Sequence, residues 1–358
     1  MPGPRPSVLF LSSDARRRYA EDILAALALP RGAVIQFRYE SKYVVPSLQA
    51  SIANMSVIGR RAVVAYVADV ETTAPFLVPV RFASVADAEC AADMVVFRLR
   101  MAEYTDLDDY PLTEDDIRTE GRRYLDRLIE VNDDRYYPAT GRFPDLHIRD
   151  EPHRRPGEET RDDPQHWLGV ARRLARHPTF RDSYFIRIDE PVLDRGGPVP
   201  FDEQGRLTLS DRRAAKLRVS FFTQSYSEEG EKVLSCATDG TFLRISSDDS
   251  YDVELGYDSV EFWLQPVITT FDALARVSVG FSQERPDVPE VNAGFPVLVH
   301  RSRTRMLTRV TFSAAGAFLV ALPAILGTGF PMYVRVLFAI MGAALLSVST
   351  VVIARGDR

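Results

Sequence analysis

The chain has 358 residues, two cysteines and a formal net charge of −6. That length is ample for at least two domains, two cysteines exclude a disulfide framework, and the acidic balance argues against broad nucleic-acid binding. Only three of the 44 basic residues are lysine, which reads as a compositional bias toward arginine rather than as phosphate recognition.

The first elements read as α+β. Val8 to Leu11 is a short apolar strand. Ser12-Ser13-Asp14 offers an N-cap, and Tyr19, Ile23, Leu24 and Leu27 then recur at helical spacing within Ala15 to Leu29. Pro30-Arg31-Gly32 ends that helix. Ala33 to Val45 reads as a strand, and Val45-Pro46-Ser47 opens a short helix through Met55. Three β-rich runs follow at Ala62 to Val70, Phe76 to Ser84 and Met94 to Tyr104. In the last, Val96, Arg98 and Arg100 share one face, and Val95, Phe97, Leu99 and Met101 the other. Thr113 to Asp116 resembles a capping box ahead of an apolar stripe from Ile117 to Ile129.

Residues 132–163 are rich in Asp, Arg, Pro and Glu and read as an exposed linker. A helix with Pro164 at its first position then runs to Arg176. From Ser183 to His300 the pattern is β, with alternation at Leu217, Val219 and Phe221 and at Val260, Phe262 and Leu264. Asp239-Gly240 predicts a two-residue hairpin, and Phe295 to Val299 a last strand. Short strands at this spacing predict an antiparallel β-sandwich of immunoglobulin-like kind.

Val310 to Leu326 and Val336 to Ala354 hold no Asp, Glu, Lys or Arg. Each approaches the ~20 apolar residues that a membrane-spanning helix needs. They read as a two-helix transmembrane hairpin, with Arg305, Arg309, Tyr333, Arg335 and Arg355 at the membrane interface. Ala314, Ala317, Ala321, Ala339, Ala343 and Ser347 stand at small-residue spacing suited to close packing of the spans, within one chain or between copies. Charge placement and the lack of a signal peptide at the first residues predict an inner-membrane, two-pass protein with both termini cytoplasmic.

The predicted organisation is therefore an α+β domain at 1–131, a charged Pro-rich linker at 132–163, a helix plus β-sandwich at 164–300, and a basic juxtamembrane segment with the hairpin at 301–358. The best ligand candidate is the strand–helix junction. There Ser12, Ser13, Arg16 and Arg17 surround a helix N-terminus that could hold a phosphate or nucleotide, although an ordinary capped helix explains the same residues. No Gly-rich phosphate loop is present. His147, His153 and His166 lie among acidic residues, but their spacing matches no metal motif. Asp106, Asp108 and Asp109 lack the glycine and terminal glutamate of a calcium loop. Arg98 and Arg100 read as solvent-facing. No catalytic set, metal or cofactor is expected.

The expected function is a membrane-anchored cytoplasmic sensor or binding protein, non-enzymatic, with the hairpin as tether. Its partners would be the lipid bilayer, a cytoplasmic ligand or protein, and other copies of itself. A ligand-triggered membrane-perturbing effector and a membrane-tethered hydrolase or nucleotide-processing enzyme are the alternatives.

Overall fold

The computed structural model describes residues 8–13, 16–44, 46–69, 76–105, 164–225, 232–253, 256–267, 269, 271–281, 288–301, 311, 313–322 and 331–354. The first sheet holds β1 (Val8–Ser13), β2 (Val34–Glu40), β3 (Arg61–Ala68), β4 (Phe76–Ala91) and β5 (Met94–Tyr104) in the order β1-β3-β4-β5-β2. Only β1 and β3 are parallel; the other neighbours are antiparallel. The expected alternation in β5 is present, with Val95, Phe97, Leu99 and Met101 all buried.

This sheet is curled rather than flat. Phe10 on β1 lies 4.8 Å from the Phe97 ring and 6.3 Å from those of Phe37 and Tyr39. The Tyr39 hydroxyl donates to the Leu11 carbonyl at 3.2 Å, joining the two edge strands across the aromatic cluster. Two irregularities in the β4–β5 ladder, near Phe82 and Ala86, supply local bending.

Helix α1 (Arg17–Ala28) buries Ala20, Ile23, Leu24 and Leu27. A fully buried arginine, Arg81 of β4, grips its C-terminal end. The guanidinium donates to the carbonyls of Ala26 and Leu29, and to that of Ala102 at 2.7 Å. The Tyr104 hydroxyl donates to the Leu27 carbonyl at 2.9 Å. A cation suits the negative end of a helix, where the last carbonyls have no intrahelical donor.

Two further sheets follow. One has the order β12-β10-β14-β15-β8, using β8 (Leu207–Ser210), β10 (Val233–Thr238), β12 (Ser250–Asp252), β14 (Ala273–Phe281) and β15 (Val291–His300). The other has the order β11-β13-β9-β6, using β6 (Phe185–Ile188), β9 (Ala215–Thr223), β11 (Leu243–Ile245) and β13 (Gly256–Pro266), with β7 (Val192–Leu193) also on β9. Val277, Val279, Phe295 and Val297 of the first bury alternate residues, as do Leu217, Val219, Phe262 and Leu264 of the second. These side chains and those of the N-terminal sheet belong to one continuous apolar core.

The Asp239-Gly240 turn differs from the expected hairpin. Its flanking strands do not pair with each other: β10 pairs β12 and β14, while β11 pairs β13. The Asp239 carboxylate accepts from the backbone N–H groups of Thr241 and Phe242, and Gly240 has φ +69°. This local Asx geometry carries the chain from one sheet to the other.

The N-terminal sheet is seated on the sandwich through α1, which lies against β6 and β15. A second contact joins β2 and β5 to the 202–206 loop. Arg100 donates to the Asp202 carbonyl at 2.8 Å and to that of Glu203, so it holds the seam instead of facing only solvent. Gly205 leaves no room there, since a Cβ would come within 2.3 Å of the Val34 Cγ2. The loop is braced by Asp202, whose Oδ1 accepts from the N–H groups of Gln204 and Arg206 and whose Oδ2 meets Arg206 Nε at 2.7 Å. Partial burial opposes its ionisation, but these donors outweigh that and hold the carboxyl below its ordinary range.

The expected fold class is corrected by these observations. The described chain is mostly β, in three curled sheets, and the sandwich is not wholly antiparallel because β8 runs parallel to β15. Helices are few: α1, α2 (Pro46–Ala53), α3 (Pro164–Leu174) and α4 (Met332–Ala354), besides helical residues at 313–322. Among the described residues no helix is long and apolar enough to cross a membrane. The transmembrane hairpin, and with it the two-pass inner-membrane location with cytoplasmic termini, is withdrawn. A span needs ~20 apolar residues in one helix, and no helix among the described residues meets that requirement.

These two helical pieces touch at glycines. A Cβ on Gly342 would lie 2.8 Å from the Gly316 carbonyl oxygen and 2.7 Å from Val320 Cγ2. Ala314, Ala317, Ala321, Ala339, Ala343 and Ser347, expected to pack the helices, are exposed. Tyr333 is exposed and Arg335 half-buried, while Arg305, Arg309 and Arg355 lie outside the described residues. So do the Thr113–Asp116 capping box, the 106–109 acidic cluster, the 132–163 linker and the histidines His147 and His153.

Candidate functional site at the carboxyl end of the parallel strands

The parallel pair β1–β3 ends with Ser12 opposite Tyr66 and Ser13 opposite Val67. Residues paired in this way share a face of the sheet, so Ser12 and Tyr66 point to the same side. Both are buried. This end of the parallel pair therefore carries two buried hydroxyls, those of Ser12 and Tyr66.

Tyr66 brings in a residue from far along the chain. Its hydroxyl is 3.4 Å from Nδ1 of His177, a residue 5% exposed between α3 and the short 3-10 turn Pro178–Phe180. Nδ1 also accepts from the Thr179 backbone N–H at 3.3 Å, capping that turn. An Nδ1 that accepts leaves the proton of the neutral ring on Nε2. Nε2 lies 3.4 Å from Asp69 Oδ2, close enough for an ion pair but without the alignment of a hydrogen bond.

Asp69 follows β3 directly. Its φ of +56° puts it in the left-handed region, which Asp tolerates better than most residues. Its carboxylate is half exposed, with a side-chain relative accessibility of 50%. Aromatic rings wall the histidine. Phe76 lies 5.0 Å and Tyr66 5.5 Å from the imidazole, and Phe180 stands edge-on to Tyr66 at 4.7 Å. The result is a carboxylate at the surface, an imidazole behind it and a buried hydroxyl behind that.

Helix α1 begins beside this edge. Arg16 is its N-cap and makes no side-chain capping hydrogen bond; Asp14 of the expected Ser12-Ser13-Asp14 cap lies outside the described residues. Arg16 and Arg18 are exposed. Arg17 is engaged elsewhere, 2.7 Å from Glu21 and 3.4 Å from Glu290, and its pKa is raised chiefly by the hydrogen bond it donates to Glu21, against slight desolvation. Of the expected ligand residues, Ser12 and Arg16 sit at this end of the sheet, Arg17 serves the seam to β15, and nothing is described of the Ser13 side chain.

Sequence reasoning missed Tyr66, Asp69 and His177. An acid after an apolar strand is a weak signal, and residues 66 and 177 are 111 positions apart. His166 is half-buried on α3. No group of three or more metal-type ligands occurs among the described residues. Cys236 is buried, and burial together with Asp249 pushes its thiol up to about 12.

No protein-family model and no curated protein matches the chain. Among solved structures it is similar to a FixG-related protein from Vibrio parahaemolyticus, at 8% identity and a TM-score of 0.22, over 33% of this chain and 97% of that one. A likeness that weak carries no argument about fold or function.

Proposed function

We propose that the chain is a non-catalytic binding protein that senses a nucleotide at the carboxyl end of β1–β3. The supporting observation is the meeting of Ser12, Tyr66, Asp69 and His177 beside the N-terminus of α1, whose N-cap Arg16 makes no side-chain capping hydrogen bond. The N-terminus of α1 together with the exposed Arg16 suits a phosphate. The exposed Asp69 carboxylate suits sugar hydroxyls, the task an acid performs at the neighbouring strand of dinucleotide folds. His177 Nε2, a buried donor with poor alignment to its neighbour, suits an acceptor on the base or sugar.

The test is a thermal-shift panel of adenine and guanine mono- and triphosphates against the intact chain. A ligand at about 100 times its Kd stabilises by ~2.7 kcal/mol, which is several degrees for a chain of this size. A shift that disappears in His177→Ala and in Arg16→Ala supports the reading. Absence of any shift across the panel rules out a nucleotide.

A second reading draws on the order carboxylate, imidazole, hydroxyl, which matches that of an acid–base relay. It requires turnover of the bound nucleotide that His177→Gln abolishes while binding persists.

A further inference from the structure

The β4 strand outruns its neighbour. β3 pairs with it from Ala68↔Phe76 only as far as Arg61↔Ser84. The preceding loop extends the cover by one residue, with Gly59 N donating to the Val85 carbonyl at 2.7 Å and Val85 N to the Arg60 carbonyl at 2.9 Å. Beyond that, β4 continues to Ala91 paired to β5 alone. Among the described residues, no strand covers its other edge from Ala86 to Ala91. Exposed backbone of this kind is a template for an added strand.

Three features shape what would fit. Ala88 N–H is bonded at 2.9 Å to the Asp87 carboxylate of its own strand, a local bond that an incoming carbonyl can replace. Ala88 faces the core, whereas Glu89 and Cys90 are exposed and Asp87 is half exposed beside Arg98. The loop anchored at Val85 carries two exposed apolar side chains, Met55 (71%) and Ile58 (43%). Met55 holds φ +55°, a conformation that costs an unbranched L-residue about 1–2 kcal/mol.

We propose that the open edge of β4 from Ala86 to Ala91, with Met55 and Ile58 beside it, receives an extended segment of a partner protein that alternates basic and apolar residues. Backbone hydrogen bonds supply the register, the exposed Glu89 attracts a basic side chain while Asp87 is held by Arg98, and the apolar ones rest on the Met55–Ile58 shelf. A second copy of this chain fits worse. Antiparallel self-pairing about Ala88 would set Asp87 opposite Glu89, and like charges directly opposed destabilise a ladder.

The experiment titrates a labelled eight-residue Lys-Val repeat peptide into the intact chain by fluorescence anisotropy, alongside a Glu-Val repeat and a scrambled control. The Lys-Val peptide should bind and the others should not. Glu89→Lys should weaken it about fivefold, the size of one surface charge pair, and admit the Glu-Val peptide. Met55→Asp should weaken it further. Amide exchange at Ala88 and Cys90 should be fast in the free chain and slow with peptide bound. Equal binding of the scrambled control, no binding at all, or slow exchange in the free chain would overturn the proposal, the last by showing that the chain covers this edge itself.

Discussion

Gly205→Ala tests how the N-terminal sheet is fixed to the sandwich. Gly205 has φ +73°, and a Cβ placed there would lie 2.3 Å from Val34 Cγ2, 2.7 Å from Val34 Cβ and 3.1 Å from the Val34 backbone nitrogen. The left-handed backbone costs an alanine about 1–2 kcal/mol. The overlap adds about 1–3 kcal/mol, as overpacking does, because the Val34 backbone belongs to the β2–β5 ladder and yields little. The expected loss is therefore about 2–5 kcal/mol, read as a lower urea midpoint at unchanged slope. Val34→Ala combined with Gly205→Ala should recover part of the overlap and none of the backbone cost. A loss under about 0.5 kcal/mol, of the order found for ordinary surface substitutions, would refute the close approach of the 202–206 loop to β2.

Other substitutions probe separate parts of the structure. Arg81→Met leaves the carbonyls of Ala26, Leu29 and Ala102 without their donor. It should cost about 2–4 kcal/mol in chemical denaturation, with Tyr104→Phe costing about 1 kcal/mol. Asp22, on α1, has its carboxyl pushed up to about 6, mainly by burial and further by Glu21, against the opposing charge of Arg18. A carboxyl raised in the folded state binds its proton more tightly there than when unfolded. Stability from this group is present at low pH and is lost as pH rises from about 4 to about 6. Asp22→Asn should accordingly gain about 1–3 kcal/mol over the native chain at pH 7, with no gain at pH 3.5; an equal gain at both would assign the effect to something other than ionisation. Native alkylation at pH 8 should modify Cys90, which is exposed, and spare Cys236, whose thiol is pushed up to about 12. Mass spectrometry showing Cys236 modified first would contradict its burial.

Much of the strand pattern was legible because alternation reports burial directly. Val95, Phe97, Leu99 and Met101 read as one face and are buried together. Partnerships were not legible. Asp239-Gly240 signals a turn, yet the same Asx geometry serves a tight hairpin and a crossing between sheets, and only the packing of β10 and β11 into different sheets decides. Arg100 read as solvent-facing because its strand position is outward; its acceptors are carbonyls 102 and 103 residues away. The C-terminal runs read as spans from composition alone, whereas among the described residues no helix is long and apolar enough to cross a membrane. The candidate site was half legible. Ser12 and Arg16 carry a local signal at the strand–helix junction, while His177 reaches Tyr66 and Asp69 only because α3 and the turn after it fold back onto the N-terminal sheet.

The most direct test of the binding account is photolabelling of the intact chain with 8-azido-ATP, followed by peptide mapping. Label on peptides holding residues 10–19, 64–69 or 173–180, competed away by unlabelled ATP, is the expected result. Saturable label confined to the sandwich or to α4, or label that ATP does not displace, would contradict a nucleotide site at the carboxyl end of β1–β3.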